Sequence, residues 1–212
     1  MEKVKSIMLT LGTFVPDFVL EHVYKVRFSE EVETHFSFNG ICVVGSISGI
    51  TNLADLYSKH GKVAKLKGID KAHQGAEQMR SKLNLYFGEM MDHIIDAGGD
   101  VVHFSGDTLM AVWRLEDDDG KDLSPVVAAE KLCMVSEMCA EMTAKLDSWV
   151  VEGLTTKQRC TYAHGVETSD HRLHLHTAVS VGCFEGYVVG GFEGGQWLNT
   201  LTGAPISQIT DC

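Results

Sequence analysis

One aspartate, at the tip of a predicted hairpin, is well placed to bind a metal ion. Asp107 follows Gly106 in a short turn between two apolar runs, at 101–104 and 108–113. A turn containing glycine between such runs is a strong hairpin signal. A carboxylate at a hairpin tip offers hard oxygen ligands to a divalent cation such as magnesium. The alternative is a plain turn residue, because aspartate is common in turns.

A second stretch places small polar residues between an apolar strand and a helix. The strand is predicted at 41–45, and Ser46, Ile47, Ser48, Gly49, Ile50 and Thr51 follow it before a helix predicted at about 52–60. Backbone amides at a helix start favour anions, so Gly49, Ile50 and Thr51 could bind an anionic ligand. Ser48 with Gly49 could equally be no more than a helix cap.

Three histidines lie close together in the C-terminal third. His174 and His176 alternate with Leu173 and Leu175, which predicts a strand with one polar face, and His171 lies just before it. The histidines could form a metal site, but no cysteine lies at ligand spacing beside them, so a polar strand face is favoured.

The elements that position these residues follow from periodicity. Apolar residues recur at helical spacing in two segments and predict helices at about 75–97 and after Pro125, each with one buried stripe. Gly98 and Gly99 end the first helix and lead into the hairpin, and Ser124 caps the second. The basic segment 62–74 is predicted to be a loop, and the acidic run 116–119 a surface loop. The stripes are Met79, Leu83, Tyr86, Met90 and Ile94, then Ala128, Leu132, Val135, Met138 and Met142.

Composition excludes several classes of protein. The net charge of -11 argues against nonspecific binding to nucleic acid or to an anionic membrane. We find no apolar run long enough for a transmembrane span and no secretory signal, which favours a cytoplasmic location. The six cysteines form no C-x-x-C pair, so we expect reduced core residues.

The stretch after the first predicted strand and the stretch around Asp107 resemble motifs of the class III nucleotide cyclases. In that family the first strand ends in a pattern like Asp-Ile-Ser-Gly-Phe-Thr, matched here at 46–51, and the hairpin carries one like Lys-x-x-Gly-Asp-x-x-Met-Ala, matched at 103–111. Residues 15–20 are similar to a segment that precedes the first catalytic half of soluble adenylyl cyclases. Residues 179–188 resemble the family's apolar strand, glycine turn and returning strand. The resemblance implies an α+β, ferredoxin-like (split βαβ) fold. It also implies a lead-in at 1–38 and a cyclase domain at 39–212, truncated at its C-terminus.

The resemblance also implies a site and marks where this chain departs from it. Two divalent ions, Mg or Mn, would be held by two aspartates and a main-chain carbonyl. Asp107 and the carbonyl of Ile47 match, whereas Ser46 replaces the other aspartate. Ser48, Gly49, Ile50 and Thr51 would contact the nucleotide. His103 replaces a basic residue where bicarbonate acts in soluble adenylyl cyclases, so it lies in an effector pocket or is a tolerated strand residue.

A third motif departs from the family near the end of the chain. The family's Gly-x-x-Val-Asn-x-Ala-x-Arg pattern falls on residues 203–211, where Ser207 replaces the asparagine and Asp211 the arginine that contact ribose and phosphates. The predicted function is therefore a degenerate adenylyl cyclase-like half, inactive alone, that pairs with a second cyclase homology domain in cyclic nucleotide signalling. The alternatives are a working half that converts ATP to cyclic AMP and diphosphate, and a non-catalytic scaffold module. The cilium or flagellum is the more specific location expected.

Overall fold

Six strands and three helices are defined in the computed structural model, which describes residues 15–16, 19–20, 35–55, 57, 72–117, 119–147, 149–150, 172–190 and 197–210. Residues 50–55 and 57 are also helical. The named elements are β1 (His35–Ser48), α1 (Ala72–Asp96), β2 (Asp100–Ser105), β3 (Thr108–Arg114), α2 (Pro125–Leu146), β4 (Trp149–Val150), β5 (Arg172–Gly190), β6 (Trp197–Gly203) and α3 (Ala204–Thr210).

The strands form one antiparallel sheet with β1 near its centre. Their order is β2-β3-β1-β5-β4, and β6 pairs with β5. Helix α1 connects β1 to β2, and α2 lies between β3 and β4, so the order β1, α1, β2, β3, α2, β5 gives the split βαβ arrangement. This confirms the predicted α+β, ferredoxin-like fold. No helix in the described ranges is long and apolar enough to span a membrane.

The main core lies between the sheet and the helices α1 and α2. Ile41, Val43 and Ile47 of β1 are buried against Tyr86, Met90 and Ile94 of α1 in one apolar cluster. Val135, Met138 and Met142 of α2 belong to the same cluster, with Ala128 and Leu132 packed at its border. Both predicted helical stripes are therefore confirmed. Helix α1 begins at Ala72, so residues 72–74 are helical and were wrongly assigned to a loop; residues 62–71 lie outside the described ranges.

The two predicted helix boundaries follow from local chemistry. Gly98, two residues after the end of α1, adopts φ +71°, a conformation that favours glycine. At the start of α2 the Ser124 hydroxyl accepts a hydrogen bond from the Val127 amide, and Pro125 occupies the first turn. These features fix where the hairpin β2–β3 leaves α1 and where the chain returns over the sheet.

Strand β5 corrects one prediction. Residues 179–188 were expected to form a strand, a glycine turn and a returning strand, but β5 continues through them to Gly190, and the returning strand is β6. The glycines inside β5 allow close packing instead of a turn. A Cβ at Gly186 would overlap the Phe36 ring, and one at Gly182 would lie 3.3 Å from the Pro205 ring.

The face of the sheet opposite the long helices holds a smaller apolar cluster. Phe38, Cys42, Val112 and Phe184 are buried there, with Ile206 and Ile209 of α3 packed against them. The Ser180 hydroxyl donates a hydrogen bond of 2.8 Å to the Pro205 carbonyl. Helix α3 therefore covers part of this face.

The cysteines do not all lie in the core. Cys42 and Cys139 are buried, and burial raises the pKa of each thiol to about 11. Cys133 and Cys183 are exposed, so their assignment to the core was wrong. The apolar neighbours of these two residues in sequence did not reveal which side of the helix or strand each one faces. Cys160 and Cys212 lie outside the described residues.

Candidate functional site

The end of β1 and the tip of the hairpin β2–β3 lie side by side. Ser46 pairs with Thr108 of β3 on one side and with His176 of β5 on the other. The Ile47 amide donates a hydrogen bond of 2.9 Å to the Asp107 carbonyl oxygen. The two stretches singled out in the sequence thus meet at one edge of the sheet, where β1 ends and the hairpin turns.

Asp107 lies at the hairpin tip, as predicted. Gly106 takes φ +62° in the turn, and the Asp107 side chain is exposed. The Thr108 hydroxyl donates a hydrogen bond of 3.2 Å to Asp107 Oδ1. The carboxylate is therefore accessible to a cation or to a second protein surface.

The loop after β1 has the backbone that its sequence predicted. Gly49 adopts φ +96°, and a Cβ there would overlap the Arg172 carbonyl oxygen, so glycine is required. Helical residues begin at Ile50, and the Leu53 amide donates to the Gly49 carbonyl at 3.1 Å. The helix start expected at Gly49–Thr51 is therefore present, and Ile50 and Thr51 lie in its first turn.

Two histidines lie beside this loop, and sequence reasoning placed them only on a polar strand face. His176 Nε2 is 3.3 Å from the Ser48 hydroxyl, and His174 Nδ1 is 2.9 Å from Asp147 Oδ1. The polar face predicted for this strand is confirmed, since Leu173 and Leu175 are buried in the core. The alternation of histidine with leucine in the sequence indicated a strand with a polar face. It did not identify β1 as the neighbouring strand. His171 lies outside the described residues.

The residues present do not fit a site for two divalent ions. Asp107 supplies one carboxylate and Ile47 one carbonyl oxygen, but the position of the other aspartate holds the neutral hydroxyl of Ser46. Magnesium binds mainly through carboxylates, phosphates and water, and a serine hydroxyl brings no charge. Within the described ranges, no group of three or more His, Cys, Asp or Glu side chains is arranged to hold a metal ion.

His103 lies on the edge strand β2, apart from the loop of β1. Its side chain is exposed, and it pairs with Met110 next to an irregularity in the strand. It lines a cavity of about 950 Å³ between α1 and β2, together with Pro16, Phe87 and Phe104. The structure thus provides a cavity beside His103, and its use by an effector stays a prediction.

The third family motif falls on β6 and α3. Gly203 takes φ +136° at the end of β6, and α3 begins directly after it. Ser207 is exposed, and its hydroxyl donates to the Gly203 carbonyl at 3.4 Å. Its hydroxyl thus bonds to the residue directly before its own helix. Asp211 lies outside the described residues.

Comparison with known proteins finds adenylate cyclases among the similar sequences and among the similar structures. No family model matches the chain. Adenylate cyclase type 10 of Rattus norvegicus is 29% identical over 173 residues, which cover 81% of this chain and 10% of the relative. The chain therefore spans about a tenth of the length of the curated relatives it matches.

Two solved structures are similar in fold. A bacterial light-regulated adenylyl cyclase matches with a TM-score of 0.58 and 15% identity, covering 97% of this chain and 48% of that one. The adenylyl cyclase CyaB from P. aeruginosa matches with a TM-score of 0.52 and 17% identity, covering 83% of this chain and 71% of that one. At such identities the likeness concerns the fold.

Proposed function

We propose that this chain, a class III nucleotide cyclase domain, is a degenerate adenylyl cyclase-like half that does not hold the catalytic metal ions itself. Its partner would be a second cyclase homology domain, on the same polypeptide or on another chain, and the pair would act in cyclic nucleotide signalling in the cytoplasm. ATP is the nucleotide proposed, because the curated relatives are adenylate cyclases.

Ser46 is the observation that carries the proposal. It lies on β1 directly between Thr108 and His176, next to the peptide that bonds Asp107. A carboxylate at this point would face the same edge as Asp107, so the replacement removes one of two charges that would hold a divalent cation. What remains is Asp107 with the Ile47 carbonyl, and the loop Ser48, Gly49, Ile50 and Thr51 as the proposed nucleotide contact.

The test is isothermal titration of this domain with a non-hydrolysable ATP analogue, with and without magnesium or manganese. We expect the metal to add no affinity to the natural sequence. Ser46→Asp should create metal-dependent binding, with at least about a tenfold gain when magnesium is added, because a second carboxylate then completes the ligands. Ser46→Asn is the matched control, since it changes the size without adding charge.

Two outcomes would contradict the proposal. Metal-dependent binding by the natural sequence would show that Asp107 and Ile47 suffice to hold a cation. A Ser46→Asp variant that folds but gains nothing from metal would mean that position 46 is not what limits metal binding, so the site has decayed elsewhere as well.

A working half is the second candidate, and the intact hairpin motif with Asp107 favours it. In that case the partner domain would complete the metal site, and the full-length protein would convert ATP to cyclic AMP with magnesium or manganese. Absence of cyclic AMP formation by the full-length protein would exclude this candidate.

A non-catalytic scaffold module is the third candidate. It is favoured by the departures at Ser46, Ser207 and Asp211, and it predicts that the domain binds neither metal nor nucleotide. Metal-dependent ATP binding would count against it.

A further inference from the structure

The face of β1 and β5 beside the loop carries four polar side chains that are able to donate hydrogen bonds. Ser46 lies opposite His176, and Ser48 lies opposite His174. Directly opposed residues of antiparallel strands share one face, and so do residues two apart on the same strand. The four side chains therefore form one patch, which we call the serine–histidine face.

Part of this face is exposed to solvent, and two of its side chains are within hydrogen-bond distance of each other. Ser48 and His176 are exposed, whereas Ser46 and His174 are half-buried. Ser48 and His176 are already within hydrogen-bond distance of each other, with 3.3 Å between Oγ and Nε2. Two hydroxyls and two imidazoles can each donate to an oxyanion, and an imidazole can also carry a positive charge.

Charged groups of both signs surround the face. Asp147 Oδ1 is held at 2.9 Å by His174 Nδ1, and Asp107 lies at the hairpin tip beyond Ile47. Arg172 is two residues from His174 on the same strand. A carboxylate at position 46 would repel a phosphate unless a metal ion lay between them, and Ser46 removes that repulsion.

We propose that the serine–histidine face binds the polyphosphate of a nucleotide directly, without a divalent cation. The ligand class is a polyphosphate oxyanion, held by the hydroxyls of Ser46 and Ser48 and by the His176 imidazole. The inference rests on the proposed function, because it assigns a role to the site of a half that has lost its metal ligands.

The experiment is isothermal titration of the domain in EDTA, with ATP in one arm and inorganic triphosphate in the other. We expect both anions to bind, since both carry the polyphosphate. A gain for ATP over triphosphate identifies a nucleotide as the preferred source, and equal affinity identifies the phosphate chain alone as the ligand.

Three variants locate the binding. His176→Ala and Ser46→Asp should each weaken binding in EDTA by at least about tenfold, the first by removing a donor and the second by adding a repelling charge. His35→Ala is the matched control, because His35 pairs with Tyr187 at the opposite end of the same two strands, and it should leave the affinity unchanged. Circular dichroism of each variant checks that it is folded.

The results separate this inference from the proposed function. No binding of either anion in EDTA would overturn the inference but leave the degenerate half intact. Binding that survives both Ser46→Asp and His176→Ala would also overturn it, since the anion would then lie elsewhere. Binding by the natural sequence only when magnesium is present would overturn the proposed function as well.

Discussion

Two consecutive glycines between α1 and β2 should respond very differently to the same substitution. A Cβ at Gly98 would have no atom within 4 Å, but the residue adopts φ +71°. A Cβ at Gly99 would overlap the Trp113 ring, with a second ring atom at 2.6 Å and Ile94 Cγ2 at 2.8 Å. Gly98 is therefore required for backbone conformation, and Gly99 for packing.

The magnitudes follow from these surroundings. Gly98→Ala should lower the free energy of unfolding by about 1 kcal/mol, because alanine is strained in the left-handed conformation. Alanine also reduces the conformational entropy of the unfolded chain, which offsets part of this cost. At Gly99 the neighbour cannot move aside, since Trp113 is 1% exposed and its Nε1 donates to the Ala97 carbonyl at 2.8 Å. Overpacking and loss of that bond should together make Gly99→Ala cost about 3 kcal/mol.

The assay is urea unfolding at 25 °C, followed by circular dichroism and by tryptophan fluorescence. Gly88→Ala is the matched control: Gly88 lies inside α1 with nothing within 4 Å of a Cβ, so alanine should stabilise the protein by about 0.5–1 kcal/mol. A loss at Gly99→Ala no larger than at Gly98→Ala would refute the packing argument. It would mean that the Trp113 ring can shift freely.

Three further predictions concern the cysteine thiols and one buried hydroxyl. In the folded protein at pH 8, a thiol reagent should label Cys133 and Cys183 much faster than Cys42 and Cys139, as mapped by mass spectrometry, and equal rates would contradict the burial. The pKa of the buried Cys42 and Cys139 thiols is about 11 in the folded protein, whereas an unfolded thiol has a pKa of about 8.5. The free energy of unfolding should therefore fall as the pH rises from about 8.5 towards 11, because only the unfolded thiols then lose their protons. Chemical denaturation at several pH values in that range measures this fall. Tyr86→Phe removes the hydroxyl that donates to the last carbonyl of α2 at 3.2 Å, and it should cost about 1–2 kcal/mol in urea unfolding; an unchanged midpoint and slope would show that this bond contributes nothing.

Much of the fold could be predicted because its signals are local. The stripe on α1 from Met79 to Ile94, the cap at Ser124 and the turn at Gly106 each depend on residues within a few positions of one another. The error in β5 has the opposite origin. Gly182 and Gly186 suggested a turn, but their purpose depends on Pro205 and Phe36, which contact them from distant parts of the chain.

In the candidate site, too, the local features could be predicted from the sequence and the long-range contacts could not. Its sequence identified Asp107 at a hairpin tip, Gly49 at a turn and Ser46 where the family has a carboxylate, because each is a property of one short segment. It could not predict that His176 lies next to Ser46 and Ser48, since that depends on which strands are neighbours and on their register.

The sequence by itself determined the local conformations, and it showed a serine at position 46, where the family that the chain resembles has an aspartate. Only the tertiary structure decided what surrounds that position: the hairpin β2–β3 with Asp107 in its turn on one side, and β5 with two histidines on the other. The physical reason is that turns and helical stripes are set by short-range sterics and periodicity. The pairing of β1 with β3 and β5 is instead a long-range choice, fixed by how the whole sheet buries its apolar faces.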